Sequence, residues 1–155
     1  MEAAMRVVTY VKSCPGMGVL LSATCSDSLS AFCDADWAAC PKTCKSVTGY
    51  FVKFGSSLIS WKSKKQSTIS RSSAEAEYRS LASTVAEVIW ILGMFKELGI
   101  PHSSFVPIYC DSKSAIQIAT NPVFHECTKQ IDIDCHFIRE KVQQGLISTV
   151  YVPTA

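Results

Sequence analysis

The chain has 155 residues, 48% of them apolar and 18% charged, with a formal net charge of +2. This length and composition suit one compact domain with an apolar core and exclude a disordered chain. The small net charge excludes a histone-like polybasic binder, so any contact with nucleic acid has to come from basic residues gathered locally.

Residues 2–12 predict a short amphipathic helix with Met5, Val8 and Val11 near one face, ended by Cys14-Pro15-Gly16. A helix this short is marginal alone, so it reads as the end of something upstream. Residues 29–37 predict a strand that finishes on two aspartates, followed by a turn at Cys40-Pro41-Lys42. Residues 49–54 and 58–61 are β-rich runs joined by Gly55-Ser56-Ser57, a hairpin signal. Lys62, Lys64 and Lys65 follow as a basic cluster, and a further short strand is expected near 67–70.

Ser72-Ser73 opens the strongest element, a helix over 74–98 with an apolar stripe at Leu81, Val85, Ile89, Leu92 and Phe95, stopped by Gly99 and Pro101. Residues 106–110 predict a buried strand, after which Asp111-Ser112 caps a helix over 113–119 that Asn121-Pro122 breaks. Residues 131–144 predict another helix, closed by Gly145, and 146–152 a final strand. The order β, β, β, α, β, α, α, β favours one α/β sheet with crossover helices.

The eight cysteines stand at 14, 25, 33, 40, 44, 110, 127 and 135. The first ten residues carry charges and no apolar run, so a secreted chain is not expected, and free thiols are. Cys40 and Cys44, with His125, Cys127, Cys135 and His136, match no common zinc spacing. The most apolar window, 85–95, is interrupted by Glu87 and too short to span a bilayer, so no membrane partner is expected.

Three carboxylates stand out by position. Asp34 lies toward the end of the first strand, Asp111 ends the later one, and Glu77 lies in the first turns of the long helix. Glu77 is four residues before Leu81 and so shares the buried face, whereas Glu75, four before Arg79, suits an exposed ion pair. Acids from two strand ends and a packed helix that converge repel one another, and a divalent cation removes the conflict. Hard oxygen donors suit Mg²⁺, and two such ions ~3.5–4 Å apart serve phosphodiester cleavage. Asp36 shares a strand face with Asp34, and pattern alone does not choose between them.

The stretches FCDADWAACPKTCKSVTGY, LISWKSKKQSTISRSSAEAEYRSLA, IYCDSKSA, NPVFHECTKQIDIDCHFIREKV and YVPTA resemble, in order, the ribonuclease H region of copia-type LTR retrotransposon Pol polyproteins. AAMRVVTYVKSCPGMGVLL resembles the segment joining reverse transcriptase to that region, which implies a connecting segment over 1–21 and a ribonuclease H-like domain over 22–155. The resemblance implies a mixed five-stranded sheet flanked by helices and Mg²⁺-dependent cutting of the RNA strand of an RNA–DNA hybrid. Asp34, rather than Asp36, corresponds to a family metal acid together with Glu77 and Asp111. In the implied two-metal arrangement Asp34 bridges the ions, and Glu77 and Asp111 each complete one shell. The partners implied are the hybrid and an upstream reverse transcriptase domain, in the cytoplasm or a virus-like particle.

The chain also departs from the family pattern. The family carries a fourth acid on a helix after the last strand, beyond the point reached at Pro153-Thr154-Ala155. The C-terminal helix is therefore expected to be missing, the two-metal site incomplete and activity impaired, with a non-catalytic relic or nucleic-acid-binding module of the same fold as the alternative. Asp132 and Asp134 read as helix-start acids, with substitution for the fourth acid as their other possible role. Gln130 stands where the family usually has histidine, Cys127 where it has arginine and Cys44 where a basic residue is common. Ser72 and Ser73 are read as caps or phosphate contacts. Lys62, Lys64, Lys65 and Arg71 are read as a track for the hybrid backbone or as a solvated edge strand. Trp61 and Trp90 are expected in the core rather than as base-stacking platforms, and no role is assigned to His125 or His136.

Overall fold

The computed structural model describes residues 2–13, 15–16, 18–22, 27–100, 105–120 and 129–153, and the side chains of 3 and 129–133 are not among those described. The elements are α1 (Glu2–Ser13), β1 (Leu29–Asp36), β2 (Val47–Phe54), β3 (Ser57–Lys65), α2 (Ser73–Glu97), β4 (Val106–Cys110), α3 (Lys113–Thr120), α4 (Lys129–Gln143) and β5 (Ile147–Tyr151). The strands form one five-stranded mixed sheet in the order β3-β2-β1-β4-β5. The first three run antiparallel as a meander, while β4 lies parallel to both β1 and β5. From β1 onward this is the predicted order of elements. The expected breaks at Pro101 and Asn121-Pro122 lie outside the described residues.

One expectation fails. Residues 67–70 form no strand, because β3 itself runs on to Lys65 and pairs there with Val47. The lysine cluster is thereby drawn into an edge strand, and the chain then leaves the sheet. Buried Gln66 holds the departure point: its Nε2 donates to Thr48 Oγ1 (3.1 Å) and to the Ala76 carbonyl (3.0 Å), while Ser70 Oγ donates to its Oε1 (2.9 Å). At the β2–β3 turn Gly55 takes φ +57°, a left-handed conformation that glycine adopts without a side-chain clash.

Helix α2 starts at a built cap. Ser72 accepts from the Glu75 N–H (3.2 Å), and Glu75 Oε2 reaches back to the Arg71 N–H (2.8 Å), a close relative of the capping box. It stops at Gly99, which takes φ +68°. Its core-facing line is Leu81, Val85, Val88, Ile91 and Phe95, with Ile89 and Leu92 on the flank. A stripe that advances only by fours rotates about 40° per step off its face. Steps of three, from 85 to 88 and 88 to 91, bring it back.

Helices α2, α3 and α4 touch one another and form a layer on one face of the sheet. The core lies between: Leu29, Ala31, Val52, Val106 and Ile108 from the strands meet Tyr78, Leu81, Val85 and Val88 of α2 and Ile138 of α4, none more than 1% exposed. Strand alternation sends Phe32, Phe51, Trp61 and Tyr109 to the opposite face. Trp61 and Trp90 are exposed, at 61% and 63%, and do not enter the core. Trp61 points off the far side of the edge strand, and Trp90 lies between Val88 and Ile91 in sequence, which turns it away from the sheet.

Candidate functional site

Because β1 and β4 are parallel neighbours, their C-terminal ends fall side by side, with Cys33 in register with Cys110. The next residue in each segment is an aspartate, Asp34 and Asp111. Helix α2 crosses this point and is fastened to it. The Ser80 hydroxyl lies 2.7 Å from the Asp34 carbonyl and 3.1 Å from that of Gly49, and donates to them. One turn earlier on the same face sits Glu77, nine-tenths buried.

A carboxylate oxygen from Glu77, one from Asp111 and Cys110 Sγ all lie within 4.8 Å of one another. The buried Oε2 of Glu77 has no hydrogen-bond partner. Burial first, then the charges of Asp111, Asp34 and Cys110, push the Glu77 carboxyl up to about 8, and the Ala35 backbone opposes this only slightly. Asp34 is exposed and lies outside the 4.8 Å group, although its charge reaches Glu77. Alternation along β1 explains this: Cys33 takes the helix side, so Asp34 leans to the other. Asp36 is exposed two residues further on, at the end of the strand.

Glu75 does pair with Arg79 (2.8 Å), but the side chains are only 10% and 17% exposed, so the pair does not face solvent as expected. The loop after β3 folds over it, and Arg79 also donates to Thr68. Asp134 is half-buried, and desolvation raises its carboxyl against the opposing pull of Arg79. It lines a groove of about 520 Å³ with Lys62, Lys64, Lys65 and Arg79, apart from the Glu77–Asp111 group. The side chain of Asp132 lies outside the described residues.

The basic residues divide by role. Lys62 places its ammonium 5.7 Å from the centre of the Tyr50 ring, and Lys64 is exposed beside it. Lys65 donates to Cys40 Sγ (3.0 Å). Arg71, Ser72 and Ser73 are exposed at the entrance to α2, the Ser72 hydroxyl being engaged as the cap. His136 is exposed on α4.

Sequence reasoning expected free thiols but gave Cys33 and Cys110 no place at the site. Cys33, Cys40, Cys44, Cys110 and Cys135 are free among the described residues. The Lys65 ammonium, followed by the Thr43 hydroxyl and turn amides, brings the Cys40 thiol down to about 6. Cys33 and Cys110 are neighbours in register, and each acts on the other: Cys110 and burial hold Cys33 up, and Cys33 draws Cys110 down. Alternation from buried Ile108 would have placed Cys110 on the Glu77 side of the sheet.

No protein-family model matches the chain. It is 44% identical over 154 residues to the retrovirus-related Pol polyprotein from transposon RE1 of Arabidopsis thaliana, covering 99% of this chain and 10% of that protein. The polyprotein from transposon RE2 of the same plant is 45% identical over 153 residues, again 99% of this chain and 10% of the relative. The chain thus spans about a tenth of the length of these relatives. Among solved structures it is similar to LC11-RNase H1, isolated from compost, with a TM-score of 0.57 at 14% identity over 83% of this chain and 86% of that one. The same protein bound to an RNA/DNA hybrid also matches, with a TM-score of 0.57 at 13% identity over 81% and 86% of the two chains. The chain is thus similar along nearly its whole length to a segment of retrovirus-related Pol polyproteins, and it has the ribonuclease H fold.

Proposed function

We propose that this region is a Mg²⁺-dependent endonuclease that cuts the RNA strand of RNA–DNA hybrids during reverse transcription of a retrotransposon. The observation that carries the reading is buried Glu77, one of whose oxygens has no hydrogen-bond partner, with a carboxylate oxygen within 4.8 Å of one from Asp111 beside the ends of two parallel strands. A buried carboxylate oxygen without a donor, beside a second carboxylate, is an unfavourable arrangement that a divalent cation corrects. Glu77 and Asp111 would hold the ion, with Asp34 at the exposed rim. The ion would supply an activated water and stabilise the leaving oxygen.

The chain's own residues do the positioning. Ser80 ties α2 to the β1–β2 pair one turn from Glu77 and so helps hold Glu77 beside the strand ends. Lys62, Lys64, Lys65 and Arg71 would follow the hybrid backbone, with Ser72 and Ser73 at the helix entrance, and recognition would rest on phosphates and 2′-hydroxyls rather than sequence. In the full-length polyprotein the region would follow reverse transcriptase, inside the cell or a virus-like particle.

A second reading, hybrid binding without turnover, is favoured by one observation: among the described residues two carboxylates, not three, meet within 4.8 Å. One assay separates the readings. A labelled RNA–DNA hybrid is incubated with the chain and with Asp111→Asn in Mg²⁺, while binding is followed in parallel. Cleavage by the chain and its loss by roughly 100-fold or more in Asp111→Asn, with binding retained, supports the nuclease, since the ion contributes several kcal/mol to the transition state. Binding with no cleavage by the unsubstituted chain leaves the binder.

A further inference from the structure

We propose that Cys110 is a sulfur ligand of the Glu77–Asp111 centre, so that the centre also takes zinc-class cations, in a mode that excludes Mg²⁺. The inference rests on reading Glu77 and Asp111 as metal ligands, and adds to it the donor that sets which metals compete. Cys110 is 1% exposed, and its Sγ falls within the same 4.8 Å as the two carboxylate oxygens. Glu77, one of the three, also carries a buried oxygen, Oε2, without a hydrogen-bond partner. Three donors, one sulfur and two oxygens, therefore converge, two of them on buried residues and the third on half-buried Asp111.

The surroundings distinguish Cys110 from the thiol next to it. Cys33 donates its proton to the Tyr109 carbonyl (3.5 Å) and lies outside the ligand group. Cys110 Sγ instead accepts from the Ser112 N–H (3.4 Å) and lies inside the group. A tetrahedral ion with bonds of about 2.0–2.3 Å holds its donors ~3.4–3.8 Å apart. A group already within 4.8 Å has roughly 1 Å to close to reach that spacing.

The chemistry separates two classes of occupant. Mg²⁺ requires oxygen donors and keeps several waters, so it leaves Cys110 as a thiol. Zinc, cadmium and cobalt bond thiolate strongly. On their binding the Cys110 S–H bond breaks, a metal–sulfur bond forms and the proton passes to solvent. The sulfur draws the ion toward the buried side of the cluster, away from Asp34. Zinc-class ions thus occupy the centre without the exposed coordination that a substrate phosphate needs.

The test uses cobalt(II) alone with the full chain, read by absorption and calorimetry. Expected is a near-ultraviolet sulfur-to-cobalt charge-transfer band on one equivalent of bound metal, displaced by excess Mg²⁺. Cys110→Ser should abolish the band and weaken cobalt binding by roughly tenfold or more, while Mg²⁺ affinity stays within about twofold. Cys33→Ser should keep the band, and Cys110→Ala, checked for fold by circular dichroism, guards against a local effect of the serine. Cobalt bound with no band, or a band that survives in both Cys110 variants, overturns the proposal and leaves the carboxylate reading standing. Absence of both cobalt and Mg²⁺ binding overturns the two together.

Discussion

At Glu77 the fold holds a carboxyl at about 8 that would ordinarily titrate at 4.5. Between those values the folded chain keeps a proton that the unfolded chain has lost. Stability of the metal-free protein should therefore fall as pH rises from about 4.5 to about 8, with the loss complete above that. The expected loss is on the order of 2–4 kcal/mol, or several degrees in Tm. Thermal melts in chelator across this range should show the slope, and Glu77→Gln should flatten it and raise Tm at pH 8. An unchanged slope in that variant would mean another group is responsible. Cys40 offers a second test at this scale. Its thiol sits near 6 instead of 9 because of Lys65, so it should be the thiol that an alkylating reagent labels first at pH 7. Lys65→Gln should slow that labelling only a few-fold, about 3–10-fold, because the thiolate it forfeits is partly offset by the higher nucleophilicity of a more basic sulfur. How much could be read in advance differs between neighbours. Glu77 was legible from its spacing to Leu81, whereas the burial of Glu75 was not, because a loop residue eleven positions before Arg79, Thr68, covers the pair. That contact is tertiary and leaves no periodic trace.

Elements with strong local rules were legible to within a residue or two. Helix α2 has a cap, a stripe and a terminal glycine, and both its ends were found. β3 had none of these at its far end. Its second half, Trp61 to Lys65, is exposed, so no apolar alternation marked it as strand. Only pairing with residues 47–51 of β2 keeps it extended. This is also the element on which hybrid binding is tested. Lys62 and Lys64 stand on the edge strand beside the groove that holds Arg79 and Asp134, and Arg71 stands at the start of α2. Replacing Lys62, Lys64 and Arg71 by glutamine should weaken hybrid binding at every sequence. It should also reduce the slope of log K against log salt by ~0.7–0.9 for each phosphate contact removed. A slope equal to that of the unsubstituted chain would clear these residues of any role.

Across the whole molecule the two faces of the sheet differ in kind. One is sealed by α2, α3 and α4. On the other, the strand registers align Trp61, Phe51, Phe32, Tyr109 and Val150 in a single row across all five strands. Phe32 stacks on Phe51 and on Tyr109 with ring centres 4.6 Å apart in each case. The row was hidden from sequence reading because each strand contributes one residue, and only the register joins them. Phe32, Phe51 and Trp61 line an apolar groove of about 370 Å³ that has Asp34 and Lys62 at its margin. Contiguous apolar surface of this kind binds hydrophobic dyes and promotes self-association. The chain should therefore enhance the fluorescence of an anilinonaphthalene dye under native conditions, and Trp61→Thr should cut that signal by roughly half while strand content is kept, threonine being well suited to a strand. A rival apolar surface lies on α1, where Met5, Val8 and Val11 are each about 60% exposed. The paired control is Val8→Ser with Val11→Ser. Dye signal that survives Trp61→Thr and disappears in the α1 variant would assign the apolar surface to the helix and refute the prediction. Loss confined to Trp61→Thr places it on the sheet, beside the strand that carries Asp34.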